Sequence, residues 1–314
     1  MSKVSVHIVT YNSARDIETC LASVFKQTCP IDQIIVIDND SHDGTSEILQ
    51  AYNNKIKFVQ NNTNLGFAAA HNQAIRISNS DYCLILNPDV VLNPGYVERL
   101  LDHAKQDPEI GAATGKLLLA SAVDQIDSTG ILITKSRRAF DRGVNQPADR
   151  WNSVQEVFGV SGAAALYRRE MIEDISLNCQ FFDESFFAYK EDVDVAWRGQ
   201  LLGWKAVYVP DAVAYHERGW KTGKRSKQSV RIRQHSYINR YQMMLKNESL
   251  FFFLLHLPFI LPYELAAFLY MMVREPNVLS AWKILFRNLP HLIKWRKWIK
   301  QKRTVPYHEV YRFF

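Results

Sequence analysis

With 314 residues, 47% of them hydrophobic, the chain is long enough for one large domain with an appendage and can bury a sizeable core. Its four cysteines are widely scattered, which excludes a disulfide framework or a cysteine-based zinc site and favours a reducing compartment. The net charge of +6 is uneven, because acidic residues concentrate before residue 220 and basic residues after it.

The first hundred residues alternate strand patterns with helix patterns. The chain begins with a strand after a single lysine and lacks the long apolar run of a secretion signal. Apolar periodicity predicts strands at Val4–Thr10, Gln33–Asp38, Ile56–Gln60 and Tyr82–Leu86, and helices at Ile17–Phe25, Thr45–Tyr52 and Gly66–Ile77. Strands separated by such helices predict βαβ units, and therefore an α/β fold with a Rossmann-like, mainly parallel central sheet flanked by helices.

Polar residues follow each of these four strands. The clusters are Thr10-Tyr11-Asn12, Asp38-Asn39-Asp40, residues 61–64 and Asn87-Pro88-Asp89. Turns favour Asn and Asp in any protein, so one cluster alone carries little information. Ligands of open α/β sheets bind beyond the carboxyl ends of the strands, and four clusters on successive strands therefore predict one binding rim.

The following segment is less regular. Residues 111–151 are expected to mix strands with a loop, and Glu156–Leu166 is predicted as a further strand that carries Ser161-Gly162-Ala163. A helix is predicted from Glu191, and Gly203 is expected to end it. Residues 204–209 then form another strand, and His216 follows.

The carboxyl-terminal part combines cations with apolar residues. Six basic residues and no acidic one lie between Lys221 and Arg233. The apolar run Leu250–Val273 is long enough to cross a bilayer, but it contains two prolines, His256 and Glu264. We favour shallow insertion, or a hairpin-like pair of helices at the membrane interface. A buried helical subdomain is the alternative.

Two groups of side chains could carry chemistry. Asp89 follows a strand and a stiffening proline, which suits a ligand of a divalent cation, and His216 could complete the metal shell. Asp192 and Glu191 are adjacent at a helix start, where one carboxylate can raise the pKa of the other and serve as a general base. Purely structural roles remain open for His216 and for the acidic helix start.

Six motifs occur in order: VTYN, VIDNDSHDGT, NLGFAAAHNQAI, LILNPDV, VSGAAALYRRE and FFAYKEDVDVAWR. Over roughly residues 3–220 they resemble family 2 glycosyltransferases of the GT-A fold, especially the bacterial rhamnosyltransferase-like branch. The resemblance implies a single-displacement, inverting transfer of a sugar. Asp192 stands at the position of the family's catalytic base. Asn87-Pro88-Asp89 stands where many relatives have Asp-x-Asp, which leaves Asp89 as the main metal ligand.

The remaining site residues are assigned by their place in these motifs. Tyr11 is expected to stack on the nucleotide base, and Asp38 and Asp40 to hydrogen-bond the nucleotide. The residues predicted to bind the nucleotide sugar are Thr10, Tyr11, Asn12, Asp38, Asp40, Asn64, Gly66, Asn72 and Asn87. Gly162 and Glu191 are predicted to bind the acceptor, and the cofactor is a divalent cation, Mg²⁺ or Mn²⁺.

The branch resemblance also implies substrates and a location. The donor would be dTDP-β-L-rhamnose, and the acceptor a polyprenyl-diphosphate-linked glycan in cell-surface polysaccharide synthesis. A UDP-sugar is the alternative donor. We expect a protein bound peripherally or by shallow insertion at the cytoplasmic face of the inner or plasma membrane.

A GT-A catalytic domain is expected at residues 1–225, with a nucleotide-sugar half to about 110 and an acceptor half from 111. A basic, aromatic helical region is expected at 226–314, and an oligomer is compatible with the sequence.

Three other functions fit less well. A nucleotide-dependent oxidoreductase would carry G-x-G-x-x-G after the first strand, and this chain does not. A non-catalytic sugar-nucleotide-binding scaffold would have no need of Asp89, Asp192 and Asp194. Nucleic acid is not expected as a partner, because the aromatic and aliphatic tail is a poor match to a groove that tracks phosphates.

Overall fold

A computed structural model describes residues 2–218 and 228–314. The strands in these ranges are β1 (Val4–Thr10), β2 (Gln33–Asp38), β3 (Lys57–Gln60), β4 (Tyr82–Leu86), β5 (Val90–Leu92), β6 (Ile110–Leu119), β7 (Ala122–Ser128), β8 (Ile131–Ile133), β9 (Ala139–Asp141), β10 (Gln155–Val157), β11 (Ala164–Arg168) and β12 (Lys205–His216). The helices are α1 (Ile17–Phe25), α2 (Thr45–Gln50), α3 (Phe67–Ile77), α4 (Tyr96–Gln106), α5 (Arg169–Asp174), α6 (Glu191–Leu201), α7 (Val230–Asn247), α8 (Leu250–Leu255), α9 (Leu257–Arg274), α10 (Trp282–Lys302) and α11 (Tyr307–Tyr311).

Ten strands form one mixed sheet in the order β10-β12-β6-β11-β4-β1-β2-β3, with β5 on β12 and β7 on β6. The run β4-β1-β2-β3 is entirely parallel, as the βαβ pattern predicts. Strands β1, β2 and β4 have the predicted bounds, because their nearly continuous apolar residues are buried on both faces. Helix α3 begins one residue after Gly66, whose φ of 86° is not helical.

The other half of the sheet mixes directions. The single strand predicted at Glu156–Leu166 is wrong, because the chain leaves the sheet between Val157 and Ala164. Strand β10 pairs with β12 at the edge, whereas β11 lies antiparallel between β4 and β6. Apolar residues also fill the turn between them, and periodicity alone cannot separate such a buried turn from a strand.

Strand β12 is longer than predicted and contains an irregularity. Its pairing with β6 shifts between Val209 and Val213, after which it runs on to His216. The short strand β5 pairs antiparallel with this last part, so that His216 lies opposite Val90. The register therefore brings His216 beside Asp89, which precedes β5.

The carboxyl-terminal helices share the core of the sheet domain. Trp295, Ile299 and Tyr311 pack in the same hydrophobic cluster as Trp197 and Tyr208. The division near residue 225 stays a prediction, but side chains from both sides of it form one core. Of the predicted basic run, residues 221, 224, 225 and 227 lie outside the described residues, and Arg231 and Arg233 lie on α7.

Candidate active site

An open cleft of about 820 Å³ lies beside the carboxyl end of β4, a size typical of ligand sites. Six of the predicted site residues line it: Asn87, Asp89, Gly162, Glu191, Asp192 and His216. Asn87 is held there because its backbone N–H donates to the carbonyl of Ala163, at the point where β4 ends and β11 begins. The cleft therefore brings together residues that are more than one hundred positions apart in the chain.

His216 joins two carboxylates at one wall of the cleft. Its Nδ1 lies 2.8 Å from Asp127, and its Nε2 lies 3.3 Å from Oδ1 of Asp89. Burial opposes a positive charge on the ring, but the two carboxylates outweigh it and raise the pKa of His216 to about 9. Arg218 continues the network by donating to Asp127 and Asp141.

These residues fit a divalent cation. Among the described residues, Oδ1 of Asp89 is buried and accepts no hydrogen bond of normal geometry. Metal-binding histidines usually hydrogen-bond a carboxylate through the second ring nitrogen, as His216 does with Asp127. Asp89 and His216 would hold the cation. No group of three or more acidic, His or Cys side chains is arranged for a metal within residues 2–218 and 228–314, so a diphosphate would have to supply further oxygen ligands.

Asp192 lies in the first turn of α6 and faces the same cleft. Its Oδ1 accepts from the N–H of Val193 at 2.8 Å, and its Oδ2 accepts from the N–H of Gly162 at 3.3 Å. Burial raises the pKa of Asp192 above that of an ordinary aspartate. A held carboxylate of raised pKa at the wall of a cleft has the properties of a general base.

Glu191 is the neighbouring carboxyl group in the cleft. It is buried, and within the described part of the chain its Oε2 has no hydrogen-bond partner. Burial, followed by the charge of Asp192, raises the pKa of Glu191 to about 8. Glu191 is therefore protonated at neutral pH and can donate a hydrogen bond to a ligand while Asp192 accepts one.

A constrained loop leads into α6. Phe187, Tyr189 and Lys190 all have positive φ, which is costly for side chains of this size. The amide of Asn239 on α7 holds this loop by donating to the carbonyls of residues 186, 188 and 189 at 2.8–2.9 Å. Gln242 in turn donates to Asn239. The C-terminal region therefore fixes the entry to the helix that carries Asp192.

Most residues predicted to bind the nucleotide sugar lie outside the cleft lining. Tyr11, Asn12, Asp40 and Asn64 lie in loops beyond the carboxyl ends of β1, β2 and β3, and the Tyr11 ring is exposed. Asn12 ties two of these loops together, because its Oδ1 accepts from His42 and its N–H donates to Ser41. Their contacts with a nucleotide stay predictions.

Three of the residues predicted to bind the nucleotide sugar use their side chains in hydrogen bonds within the protein. Asp38 is buried and accepts hydrogen bonds from Thr10, from Ser46 and from both donors of Ser41. Asn72 is buried as well, and its amide bonds the backbone of Phe182 and the carboxylate of Glu184. Thr10, Asp38 and Asn72 therefore position the loops around the cleft, and their predicted contacts with a nucleotide sugar stay predictions.

Gly66 has a packing role. A Cβ on this residue would lie 2.5 Å from the ring and from the carbonyl oxygen of Phe187. Its positive φ of 86° also favours glycine. The requirement for glycine at this position comes from the close approach of the loop before α6.

Sequence reasoning missed four charged residues of the site. Lys190, Arg218 and Asp141 line the cleft, and Asp127 lies behind His216. Lys190 lies within the motif FFAYKEDVDVAWR and Arg218 lies two residues after His216, which was the available signal. The two aspartates lie in the irregular segment at 111–151 and carried no pattern.

The model of the family "Glycosyl transferase family 2" matches residues 5–176. An N-acetylglucosaminyl-diphospho-decaprenol L-rhamnosyltransferase of Mycobacterium tuberculosis is 30% identical over 241 residues, which cover 69% of this chain and 76% of that protein. The chain belongs to glycosyltransferase family 2 and is a glycosyltransferase.

Solved structures agree on the fold. The match to a mannosyltransferase from Pyrobaculum calidifontis in complex with GDP-Man and Mn²⁺ covers 92% of this chain and 75% of that chain, with a TM-score of 0.56 and 20% identity. The match to GalNAc-T7 with UDP, GalNAc and Mn²⁺ covers 78% of this chain and 49% of that chain, with a TM-score of 0.61 and 15% identity. At these identities the matches establish the GT-A fold, and both proteins were solved with Mn²⁺.

Proposed function

We propose that the chain transfers a sugar, with inversion, from a nucleotide-diphosphate donor to a lipid-linked glycan at a membrane surface. The observation that carries the proposal is that Asp89 and Asp192 line one cleft. Asp89, with His216, suits the cation and diphosphate end of the reaction, and Asp192 suits the acceptor end.

In the proposed reaction, Asp192 accepts the proton of an acceptor hydroxyl as its oxygen attacks the anomeric carbon. The bond from that carbon to the diphosphate oxygen breaks on the opposite face, which inverts the configuration. A divalent cation supplies charge neutralisation for the departing diphosphate. Arg218 at the cleft wall offers further positive charge, and Glu191 donates a hydrogen bond to the acceptor.

The proposed substrates are L-rhamnose from dTDP-β-L-rhamnose and a polyprenyl-diphosphate-linked glycan in cell-surface polysaccharide synthesis. The name of the Mycobacterium tuberculosis relative, which couples an L-rhamnosyl donor with a diphospho-decaprenol acceptor, supports both. A UDP-sugar donor is the alternative within the same fold, and a non-catalytic sugar-nucleotide-binding scaffold is the alternative from another class.

An exposed apolar face supports membrane binding. Helix α9 is long and apolar enough to span a bilayer, and it is mostly unburied. The exposed apolar residues of α8, α9 and α10 are Leu250, Phe251, Leu254, Leu255, Phe259, Leu261, Leu265, Phe268, Leu269, Tyr270, Met272, Val273, Phe286, Leu289 and Ile293. So many exposed apolar side chains on three helices are uncommon on proteins that stay in water. We place it at the cytoplasmic face of the inner or plasma membrane, in peripheral or shallow contact.

A donor panel tests the proposal. Purified protein is mixed with dTDP-rhamnose, UDP-glucose, UDP-N-acetylglucosamine or GDP-mannose, each with Mn²⁺, Mg²⁺ or EDTA, and the thermal midpoint and transfer to a prenyl-diphosphate-linked N-acetylglucosamine are recorded. We expect a cation-dependent shift and transfer with dTDP-rhamnose. Transfer from a UDP-sugar alone would select the alternative donor, and a shift without transfer or donor hydrolysis would select the scaffold.

A further inference from the structure

We propose that a second, smaller pocket binds the phosphate groups of the lipid-linked acceptor, with Arg138 and Lys190 as their cationic partners. The inference rests on the proposed function and deepens it, because it assigns the acceptor's diphosphate to a site separate from that of the donor. The pocket has a volume of about 200 Å³ and lies between α7, α9, the β8–β9 hairpin and the loop before α6.

The pocket opens into the active-site cleft. Ala139, Phe140, Lys190 and Ser236 line both spaces. Lys190 is two residues before Asp192, so a ligand phosphate at Lys190 would leave its attached sugar close to the base. This continuity is what an acceptor needs if its sugar reacts in the cleft while its phosphates stay outside it.

Two cations of the pocket are available to an anion. The guanidinium of Arg138 is exposed and packs over the rings of Phe140 and Tyr263, 4.4 and 5.1 Å from their centroids. In the described part of the chain, neither Arg138 nor Lys190 forms an ion pair with a carboxylate. A diphosphate could therefore bind at Arg138 without displacing an internal partner. Burial lowers the pKa of Lys190, whereas the nearby charges of Asp192, Glu191 and Asp141 favour the charged form that a diphosphate would bind.

A third cation of the pocket, Arg240, behaves differently. Its guanidinium donates to Glu264 and to the carbonyls of Ser136 and Arg137, so its hydrogen-bonding groups are used within the protein. Arg240 thereby fixes the hairpin that carries Arg138 against α7 and α9. It gives the pocket a rigid wall and additional positive charge.

The opposite side of the pocket meets the exposed apolar face. Tyr263, Ala267 and Met271 of α9 line the pocket at intervals of four residues, which places them on one side of that helix. Leu265 and Phe268 lie between them in sequence and are exposed. A prenyl chain leaving the pocket would thus meet bare apolar surface, while the sugar at the other end of the diphosphate enters the cleft.

Binding of farnesyl diphosphate, measured by calorimetry in EDTA and detergent below its critical micelle concentration, tests the pocket without requiring catalysis. EDTA removes the cation that the donor site needs. We expect Arg138→Ala to weaken binding at least 10-fold. Within residues 2–218 and 228–314 the Arg138 side chain makes ring contacts but no hydrogen bond, so the substitution should leave the fold intact. Lys135→Ala is the matched control, because it removes a charge from the same exposed hairpin outside the pocket. It should bind as the wild type does.

Three results would overturn the proposal: no binding by the wild-type protein, equal binding by Arg138→Ala, or equal weakening by both variants. Inorganic diphosphate is the competitor that separates a lipid site from a general diphosphate site. We expect it to displace the prenyl compound only at much higher concentration, and displacement at equal concentration would refute the lipid assignment. A selective loss in Arg138→Ala, together with no sugar transfer by the wild type, would support the pocket while rejecting the proposed function.

Discussion

The ammonium of Lys246, on α7, lies 2.8 Å from the carboxylate of Asp194, which is two residues beyond Asp192 on α6. Lys246 also donates to Asp183 at 2.7 Å, and all three side chains are buried. Burial opposes charge on Asp183, but Lys246 and His291 outweigh it and lower the pKa of Asp183. Asp194 therefore belongs to the contact between α6 and the C-terminal helices.

Replacing Lys246 by methionine should lower the free energy of unfolding by about 3–5 kcal/mol, because two buried carboxylates lose the cation that they share and keep Arg198 and His291 as their remaining cationic partners. Urea denaturation followed by circular dichroism measures this. Lys302→Met is the matched control, since the ion pair of Lys302 with Asp174 is partly exposed to solvent and should contribute less than about 1 kcal/mol. Equal losses in the two variants would contradict the assignment.

Asn239→Leu should reduce the turnover number by at least about 10-fold with little effect on the KM for the donor, because the loop before α6 loses three hydrogen bonds that hold its constrained backbone. Initial-rate kinetics separate the two parameters. Gln234→Leu removes an amide from the exposed side of the same helix and should leave both unchanged. A rise in the donor KM with unchanged turnover would contradict a positioning role for Asn239.

The KM for the acceptor should rise as the pH passes about 8. The pKa of Glu191 is raised to about 8, so below that pH the carboxyl group is protonated and donates a hydrogen bond to the acceptor. Above that pH the carboxylate repels Asp192 and has no proton to donate. Lys190 and Asp194 are the other charged groups that act on Glu191. In Glu191→Gln the amide remains a donor at every pH, so the rise should disappear. If both proteins show the same rise, another group titrates.

Replacing Leu265 and Val273 together by glutamine should reduce the membrane-bound fraction several-fold in liposome flotation. These side chains are 62% and 75% exposed, so the thermal midpoint should stay within a few degrees. Val123→Gln, a 58% exposed position on β7, is the control. Deleting the region would be uninformative, because Trp295 and Tyr311 belong to the core. An unchanged membrane fraction in the double variant would reject this face as the contact.

The parallel half of the sheet could be predicted because its strands are short, buried on both faces and separated by amphipathic helices. The same reasoning failed at residues 156–166, where an apolar turn has the composition of a strand. The exposed face of α8 and α9 was predictable from its composition, but the core contacts of Trp295 and Tyr311 were not, since they depend on long-range packing.

The candidate site was predictable to a different degree at each position. Asp89 and Asp192 lie at the cleft, as their places in recognisable motifs led us to expect. Asp38 and Asn72 occur in equally recognisable motifs, yet their hydrogen bonds turn inward. A polar side chain that holds a loop and one that contacts a ligand have the same sequence signature. Asp127 had no signature, because its role depends on pairing with a histidine that follows 89 residues later.

The rate of transfer by Asp192→Asn, measured beside donor binding, tests the central claim most directly. Asparagine preserves the size of the side chain but cannot accept the acceptor's proton, so turnover should fall by at least about 100-fold while the donor dissociation constant changes less than about 3-fold. Asp124→Asn, on the exposed edge of β7, should change neither value. Wild-type turnover in Asp192→Asn, or a parallel loss of donor binding, would contradict the role of Asp192 as the base.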